Sequence, residues 1–280
     1  MTTLPSSNAT MEISDAEFDA FAEIAKQSAG LSIPKSKKTL VQSRVARRLR
    51  SLKMASPREY LALVTQDNVE KRELVSVLTT NVSSFLREAH HFEFLRKTVL
   101  PHLQTRLDQG HPVRIWSAGC SSGQEPYSIA IELAKAMPNC FDQDVLILAS
   151  DIDPAILNQG QKGQYSAEEL APLDAEDTST FFDPAPGSDD QFLIHDSIKN
   201  LVRFRELNLH GPWPMKNGFD AIFCRNVVIY FDDEHQRGLW PRFRNQLTDP
   251  GWLFLGHSER IHDAEHIGFK PAGITVYQRS

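Results

Sequence analysis

Apolar residues recur at helical spacing through the first hundred positions of the chain. Ser14 and Glu17 form the S-x-x-E pattern of a capping box, and an apolar series then continues to Gly30: Phe18, Phe21, Ala25 and Ala29. A second stripe lies on a helix whose other faces carry arginines: Val41, Val45, Leu49 and Leu52. Similar spacing predicts helices over 57–64, 69–79 and 88–107. We therefore predict a flexible N-terminus over residues 1–13 and an all-helical domain over residues 14–108.

Beyond a turn at Asp108–Pro112 the apolar residues form short, nearly continuous runs. Such runs are typical of strands that are covered on both faces in a mainly parallel sheet. Five strands are predicted, with Pro126–Met137 as the first crossover helix: Val113–Ala118, Val145–Ser150, Phe219–Cys224, Gly251–Gly256 and Ile274–Gln278. The fold class is therefore α/β, with a second domain over residues 109–280.

A polar segment interrupts this second domain. Asp183–Asp190 has turn composition, and the strand-like runs Gln191–His195 and Leu201–Arg205 follow it. We predict an inserted β-subdomain at about residues 164–207.

Charge is distributed unevenly along the 280 residues. The formal net charge is −6, yet ten Lys or Arg and no Asp or Glu lie between Lys26 and Arg58. Apolar stretches are shorter than the roughly 20 residues of a membrane span, and the first ten positions are polar, so we expect a cytoplasmic protein without membrane insertion. The three cysteines and ten histidines lack metal-ligand spacing, and we expect no metal.

The most informative segment is a predicted strand that runs into a glycine loop. Gly119 and Gly123 follow Val113–Ala118, and Pro126 opens the next helix. Ligands of open α/β sheets bind beyond the carboxyl ends of the strands, and glycine allows close approach of the backbone. The loop has neither the G-x-G-x-x-G spacing of a dinucleotide site nor the Gly-Lys-Ser/Thr ending of a P-loop. A ligand other than a dinucleotide or a nucleoside triphosphate is therefore predicted here.

Two acidic residues near the glycine loop indicate which class of ligand binds there. Glu125 follows the glycine loop, and Asp151 ends the second predicted strand, where a carboxylate can accept hydrogen bonds from both hydroxyls of a ribose. Together they predict an adenosyl ligand with a positive charge, which fits S-adenosylmethionine. Taken singly, the loop is equally typical of a plain turn and Asp151 of a helix cap. Their order and spacing favour the ligand site.

Five segments in this order resemble the motifs of the chemotaxis receptor methyltransferases, the CheR family: Asn81–Arg87, Ser117–Ala130, Ala149–Asp153, Phe219–Phe231 and Gly256–Glu259. The resemblance runs from about residue 14 to the C-terminus. It implies a helical N-terminal domain joined to a class I, Rossmann-like methyltransferase domain with a β-subdomain insert. It also implies methyl transfer from S-adenosylmethionine to glutamate side chains of methyl-accepting chemotaxis proteins. The products would be glutamyl methyl esters and S-adenosylhomocysteine.

The resemblance also assigns site residues. Arg87 and Tyr230 would lie next to the transferring methyl group. Cofactor contacts, with Gly119 of the loop included, would fall on Asn81, Ser83, Arg87, Gly119, Glu125, Asp151, Asn208, Leu209, Asn226 and Val227. The family usually has Thr, Phe and Glu where this chain has Ser83, Leu86 and Gln124. Because Ser83 keeps the hydroxyl and Leu86 stays apolar, we expect these departures to change only the cofactor affinity.

The chemistry needs little beyond positioning. A sulfonium methyl group is already activated, so an ionised carboxylate held about 3 to 3.5 Å away displaces it in line without a metal or a general base. Arg87 would steer the carboxylate and the Tyr230 hydroxyl would bind it, although Tyr230 is equally typical of a core and Arg87 of a helix-end ion pair. We interpret His257, Ser258 and Glu259 as structural, because no nucleophile elbow accompanies them.

Ten cations without an acid indicate an anionic partner. The negative net charge and the absence of aromatic residues between Lys26 and Arg58 disfavour nucleic acid. The expected partner is the glutamate-bearing helical bundle of a membrane-bound chemoreceptor, docked in the cytoplasm by Arg44, Arg47, Arg48, Arg50 and Lys53. Two alternatives stay open: a non-catalytic module that binds S-adenosylmethionine or its product and signals to a partner, and an enzyme that methylates a small carboxylic acid.

Overall fold

The computed structural model describes residues 12–280, and the chain divides after Thr80 into two compact units. The predicted boundary after residue 108 is therefore wrong. Leu95 and Leu107, which precede that boundary, are buried in the same cluster as Val113 of the first strand. Helical spacing alone cannot show which core a helix joins. Most of the predicted flexible N-terminus lies outside the described residues.

The first unit contains four of the predicted helices: α1 (Asp15–Ala29), α2 (Lys38–Leu52), α3 (Pro57–Gln66) and α4 (Asn68–Leu78). The predicted capping box starts α1, since the Ser14 hydroxyl accepts from the Glu17 N–H and the Glu17 carboxylate accepts from the Ser14 N–H. Gly30 ends α1 in the left-handed region with φ 72°. The apolar stripes on α1 and α2 form much of the core of this unit.

Two arginines of α2 hold this unit together. Arg48 donates two hydrogen bonds of 2.7 Å to the Glu70 carboxylate on α4, and the Tyr60 hydroxyl on α3 donates to the same carboxylate at 2.8 Å. Glu70 is only 6% exposed, so the guanidinium replaces water as its partner. Arg44 donates to two carbonyl oxygens at the end of α4, at 2.7 and 2.6 Å.

The second unit is built on a seven-stranded sheet with the order β6-β2-β1-β7-β8-β10-β9 and carries a separate three-stranded sheet, β3-β5-β4. The strands are β1 (Val113–Ala118), β2 (Val145–Asp151), β3 (Gln164–Ser166), β4 (Phe182–Pro184), β5 (Gln191–Ile194), β6 (Val202–Glu206), β7 (Phe219–Cys224), β8 (Leu247–Leu255), β9 (Phe269–Gly273) and β10 (Val276–Arg279). From β6 to β8 the strands run parallel, and β10 is antiparallel to both of its neighbours.

Helices surround this sheet: α5 (Ala89–Phe94), α6 (Leu100–Asp108), α7 (Gln124–Ala136), α8 (Pro154–Lys162), α9 (Ala167–Leu170), α10 (Ala175–Phe181), α11 (Asp196–Asn200), α12 (Asp233–Gln246) and α13 (Ala264–Ile267). Ile115 and Trp116 are neighbours on β1 and belong to different core clusters, so both faces of the strand are covered. This explains the continuous apolar runs. Within residues 12–280, no helix has both the length and the apolar character that crossing a bilayer requires.

The inserted β-subdomain is smaller than predicted. Its antiparallel sheet consists of β3, β4 and β5, and it therefore includes the run that begins at Gln191, as far as Ile194. The run Leu201–Arg205 instead forms β6, which pairs with β2 from Ile147↔Val202 to Asp151↔Glu206. Val202 and Phe204 alternate with exposed arginines, which gave this edge strand the pattern of a half-exposed hairpin strand.

Candidate functional site

Polar residues from four segments meet at one edge of the large sheet. Because β6, β2, β1 and β7 are parallel neighbours, their carboxyl ends lie side by side. Asn208 follows β6, Asp151 ends β2, Gly119 follows β1 and Asn226 follows β7. We call this edge the strand-end site. It brings together residues that the sequence predicted to contact a cofactor.

The glycine loop at this site has an unusual backbone. Gly119, Ser121 and Gly123 have φ angles of 80°, 51° and 95°. The N–H groups of Gly119 and its neighbour donate to the Ser150 carbonyl oxygen at 2.7 and 2.9 Å, which ties the loop to β2. A Cβ atom on Gly119 would clash with Cγ2 of Val227. The glycine loop and the loop after β7 therefore lie directly against each other.

The Asp151 carboxylate is fixed by the backbone around it. It accepts hydrogen bonds from the N–H of Ser121 at 2.9 Å and from the N–H of Asp153 at 3.1 Å. Burial raises the pKa of Asp151, and the two N–H donors oppose this rise. The side chain thus joins the glycine loop to the end of β2, where the sequence predicted a ribose contact.

A buried arginine connects two acids of the site. The Arg225 guanidinium, whose side chain is 2% exposed, lies 3.1 Å from Glu125 Oε2 and 3.3 Å from Glu88 Oε2. It also donates to the carbonyl oxygen of Arg87. Burial raises the pKa of Glu125 against the opposing effect of Arg225. Burial also tends to raise the pKa of Glu88. The charge of Arg225 and the hydrogen bonds from His257 outweigh this effect and lower the pKa of Glu88 to about 2.

Glu259 organises the loop after β7. Its carboxylate accepts from the N–H groups of Asn226 and Val227 at 3.0 Å and of Ile229 at 3.3 Å. Burial raises the pKa of Glu259, and the backbone donors oppose the rise. These contacts agree with the structural interpretation of Glu259, which stays a prediction. Asn226 is held at φ 59°, and its buried Oδ1 has no hydrogen-bond partner in the described part of the chain.

The segment Asn81–Arg87 reaches the site through its ends. Asn81 Nδ2 donates to Asp153 Oδ2 at 3.0 Å, next to Asp151. Arg87 Nη1 donates to the carbonyl oxygen of Val82 at 2.9 Å, so this guanidinium contacts backbone. Ser83 and Arg87 are both half-buried.

The remaining predicted residues follow β6 and β7. The N–H of Leu207 donates to the Asp151 carbonyl oxygen at 2.9 Å, so Asn208 starts beside the end of β2. Leu209 is buried, and Tyr230 is half-buried at the end of a 3₁₀ turn. Tyr230 is therefore not one of the fully buried core aromatics.

Family comparisons agree with this architecture. Residues 81–277 match the model described as the CheR methyltransferase, SAM binding domain, and residues 16–79 match the CheR methyltransferase, all-alpha domain. This chain belongs to the CheR methyltransferase family. The two matches meet at the same place as the two compact units.

Curated relatives cover nearly the whole chain. A probable chemotaxis protein methyltransferase of Rhizobium etli is 44% identical over 89% of this chain and 94% of its own length. The chemotaxis protein methyltransferase 2 of Pseudomonas aeruginosa is 39% identical over 93% and 92%. The chemotaxis protein methyltransferase of Escherichia coli is 36% identical over 96% and 93%.

The strand-end site has the chemistry that the CheR cofactor requires. S-adenosylmethionine combines a ribose with a positively charged sulfonium group. The site offers two acids next to the glycine loop: Glu125 follows the loop in sequence, and Asp151 accepts from the N–H of its Ser121. Asn226 Oδ1 and Ser121 Oγ are buried and lack hydrogen-bond partners within the described residues, so both can bind donors of a ligand.

Sequence reasoning missed the roles of Arg225 and Glu88. Both lie in or next to the quoted CheR motifs, but a motif does not show which side chains pair. Glu88 adopts φ 60° at the start of α5, and this places its carboxylate toward Arg225 across 137 positions of the chain. The available sequence signal was the position of Arg225, a cation directly after the predicted strand Phe219–Cys224.

One group of described residues brings possible metal ligands together, namely Glu88, His90 and His91. His91 Nε2 lies 3.2 Å from the Ile274 carbonyl oxygen, and His91 Nδ1 lies 3.3 Å from Glu88 Oε2. The Arg225 guanidinium is equally close to that Glu88 oxygen. A cation therefore already neutralises this carboxylate, and the expectation that the chain needs no metal stays a prediction.

Titration of His91 is expected to make the stability of the folded chain depend on pH. Burial, with Arg225 and His90 nearby, lowers the pKa of His91 to about 3. The unfolded chain binds a proton at this residue below about pH 6.5 while the folded chain does not, so stability falls as the pH drops from 6.5 towards 3. We expect His91 to contribute a slope of about 1.4 kcal/mol per pH unit in this window.

Urea unfolding of the wild type and of His91→Gln at pH 7, 6 and 5 measures this contribution. The variant should be less stable at pH 7 but should lose less stability towards pH 5. His111→Gln, a control at an exposed histidine of the same unit, should keep the wild-type slope. Equal slopes for the wild type and His91→Gln would contradict the prediction.

Proposed function

We propose that this CheR family member transfers methyl groups to glutamate side chains of methyl-accepting chemotaxis receptors and forms glutamyl methyl esters. One observation carries this choice of nucleophile. The four acids of the site are all engaged: Glu125 with Ser117 and Arg225, Glu88 with Arg225 and His257, and Asp151 and Glu259 with backbone N–H groups. A nucleophile that arrives already ionised needs none of them as a base, and a glutamate carboxylate meets that condition at neutral pH.

The cofactor would be held by residues of the strand-end site. When bound, S-adenosylmethionine supplies a methyl group on a positively charged sulfur. The Asp151 carboxylate can accept hydrogen bonds from the ribose hydroxyls, and Asn226 Oδ1 can accept one from a further donor of the cofactor. Glu125 adds negative charge near the glycine loop, and its pairing with Arg225 keeps it in place. Asn81, Ser83, Asn208, Leu209 and Val227 complete the proposed contacts.

Arg87 and Tyr230 are the proposed contacts of the incoming carboxylate. Arg87 belongs to the segment Asn81–Arg87, in which Val82 is 72% exposed. Tyr230 directly follows Ile229, which is 47% exposed. Both side chains are half-buried and so remain reachable by a macromolecular substrate. A guanidinium attracts a carboxylate, and a phenol can orient it by a single hydrogen bond. Such positioning supplies most of the rate in a reaction that needs no proton transfer.

Receptor docking is the proposed role of the first unit. Arg44 and Arg48 are bound within the unit, so they contribute to its stability. Arg47, Arg50 and Lys53 are exposed on or next to α2, and these three cations are the better candidates for contact with an anionic receptor bundle. The protein would then act at the cytoplasmic part of membrane-bound receptors.

Reversal of two of these charges tests the docking role. The double variant Arg47→Glu/Arg50→Glu should lower kcat/KM for receptor methylation by roughly tenfold or more at low salt, because charge steering accelerates association. The difference should shrink at high salt. Affinity for S-adenosylhomocysteine should not change. Arg237→Glu/Lys270→Glu changes exposed residues of the second unit by the same total charge and is the matched control; an equal loss in the control would overturn the assignment.

The function itself is tested by product chemistry. The protein is incubated with methyl-labelled S-adenosylmethionine and receptor-containing membranes, and the labelled receptor is treated with mild alkali. Release of the label as methanol supports an ester. Binding of S-adenosylhomocysteine without any transfer to receptors would favour the non-catalytic signalling module instead.

A further inference from the structure

We propose that Tyr165 of the inserted β-subdomain is a positioning residue for cofactor binding, because its hydroxyl holds the distal half of the glycine loop in its binding conformation. This inference rests on the proposed cofactor contact of that loop. It assigns the insert a role at the cofactor site itself.

The loop needs support at both ends. Three of its five residues have positive φ angles, and one of these is Ser121, for which that conformation is unfavourable. The proximal half is tied to β2 through the Ser150 carbonyl oxygen and Asp151. These bonds reach only as far as Ser121. Beyond Ser121, the Gly123 N–H donates to the Cys120 carbonyl oxygen at 3.1 Å, and the Gly123 carbonyl oxygen accepts from the Tyr127 N–H at 3.1 Å. These backbone bonds leave the Ser122 carbonyl oxygen to be bound from elsewhere.

Tyr165 supplies that contact. Its hydroxyl donates to the Ser122 carbonyl oxygen at 2.8 Å, and a Cβ atom on Gly123 would lie only 2.9 Å from the same hydroxyl oxygen. Burial raises the pKa of Tyr165 far above the neutral range, so the hydroxyl keeps its proton and stays a donor. A second hydrogen bond joins the same parts of the chain: Gln124, directly after the glycine loop, donates from Nε2 to Oε1 of Glu169, which lies on α9 shortly after Tyr165, at 3.2 Å.

Packing fixes the direction of this hydroxyl. The Tyr165 side chain is 2% exposed, and its ring meets Phe85 edge to face with a centroid distance of 4.9 Å. Phe85 belongs to the segment Asn81–Arg87, which carries other proposed cofactor contacts. One side chain of the insert thus contacts two of the segments that form the strand-end site.

The variant Tyr165→Phe removes the hydroxyl and keeps the ring. Loss of one neutral hydrogen bond corresponds to about 0.5–1.5 kcal/mol, and we expect S-adenosylhomocysteine to bind roughly 2- to 13-fold more weakly. The KM for S-adenosylmethionine should rise by a similar factor while kcat changes less. Hydrogen exchange of the loop amides 119–123 should be faster in the free variant.

Tyr277→Phe is the matched control. Tyr277 is 6% exposed, and its hydroxyl accepts from the Ile261 N–H at 3.2 Å, so the control also loses a buried bond of a tyrosine hydroxyl. Tyr277 lies on β10, three strands away from the strand that leads into the glycine loop. We expect its affinity for S-adenosylhomocysteine to stay within about twofold of the wild type.

If both variants bound S-adenosylhomocysteine equally more weakly, Tyr165 would act only through general stability and the inference would be wrong. Wild-type affinity in Tyr165→Phe would also overturn it. Calorimetric measurement of S-adenosylhomocysteine binding needs no receptor. A wrong receptor would abolish methyl transfer and leave this measurement intact, so failure of the proposed function and failure of this inference are distinguishable.

Discussion

Arg87→Ala is expected to lower receptor methylation by about 100-fold or more, because loss of one preorganised charged donor at a reacting centre typically has an effect of this size. Stability should change little. The guanidinium is half-buried and donates to one backbone carbonyl oxygen in its own segment. The initial rate of label transfer at saturating S-adenosylmethionine measures the loss.

Arg203→Ala is the control for this substitution. Arg203 also donates to nearby backbone carbonyl oxygens, but it lies on β6 and is exposed. It should retain the wild-type rate. Full activity and unchanged cofactor affinity in Arg87→Ala would exclude Arg87 from the reacting centre, and the same result in Tyr230→Phe would exclude Tyr230.

The largest effect on stability is expected from Arg225→Met. Removal of the guanidinium leaves Glu88 and Glu125 in a largely buried site without their cation, and such a loss typically costs about 3–5 kcal/mol. The free energy of unfolding of the second unit, measured in urea at pH 7, should fall by that amount. Cofactor affinity should fall with it, since Arg225 also holds the Arg87 carbonyl oxygen.

Two comparisons separate this effect from a general loss of side-chain volume. Adding Glu125→Gln to Arg225→Met removes one unpaired charge and should restore part of the lost stability. Lys97→Met breaks an exposed ion pair with Glu93 and should change the free energy of unfolding little, because solvent screens the pair. If Arg225→Met were as mild as Lys97→Met, the buried charge network would not be a stabilising element.

Much of the fold follows from local sequence patterns. The capping box of Ser14 and the stripe of Val41, Val45 and Leu49 specify α1 and α2 through contacts within one or two turns. Strands such as β1 and β7 are buried on both faces and therefore have continuous apolar runs. Their ends, marked by Gly119 and Asn226, could be aligned because parallel strands place their carboxyl ends at one edge.

What the sequence did not predict depends on long-range pairing. Helical periodicity is the same whether Leu95 packs on a helix or on a sheet, so the sequence pattern predicts the domain boundary after residue 108 instead of after Thr80. The β6 run could pair with a hairpin partner or with β2, and only the register with Ile147 decides between them. Arg225 and Glu88 become partners only once α5 and β7 have packed in the same unit.

Tandem mass spectrometry of the methylated receptor tests the central proposal most directly. The receptor is incubated with S-adenosylmethionine and either the wild type or Arg87→Ala, and its peptides are sequenced. We predict that the mass of one methyl group maps to glutamate side chains in the cytoplasmic helical bundle with the wild type and is largely absent with Arg87→Ala. A methyl group on any other side chain, or none on a receptor in the presence of a cofactor-binding protein, would contradict it.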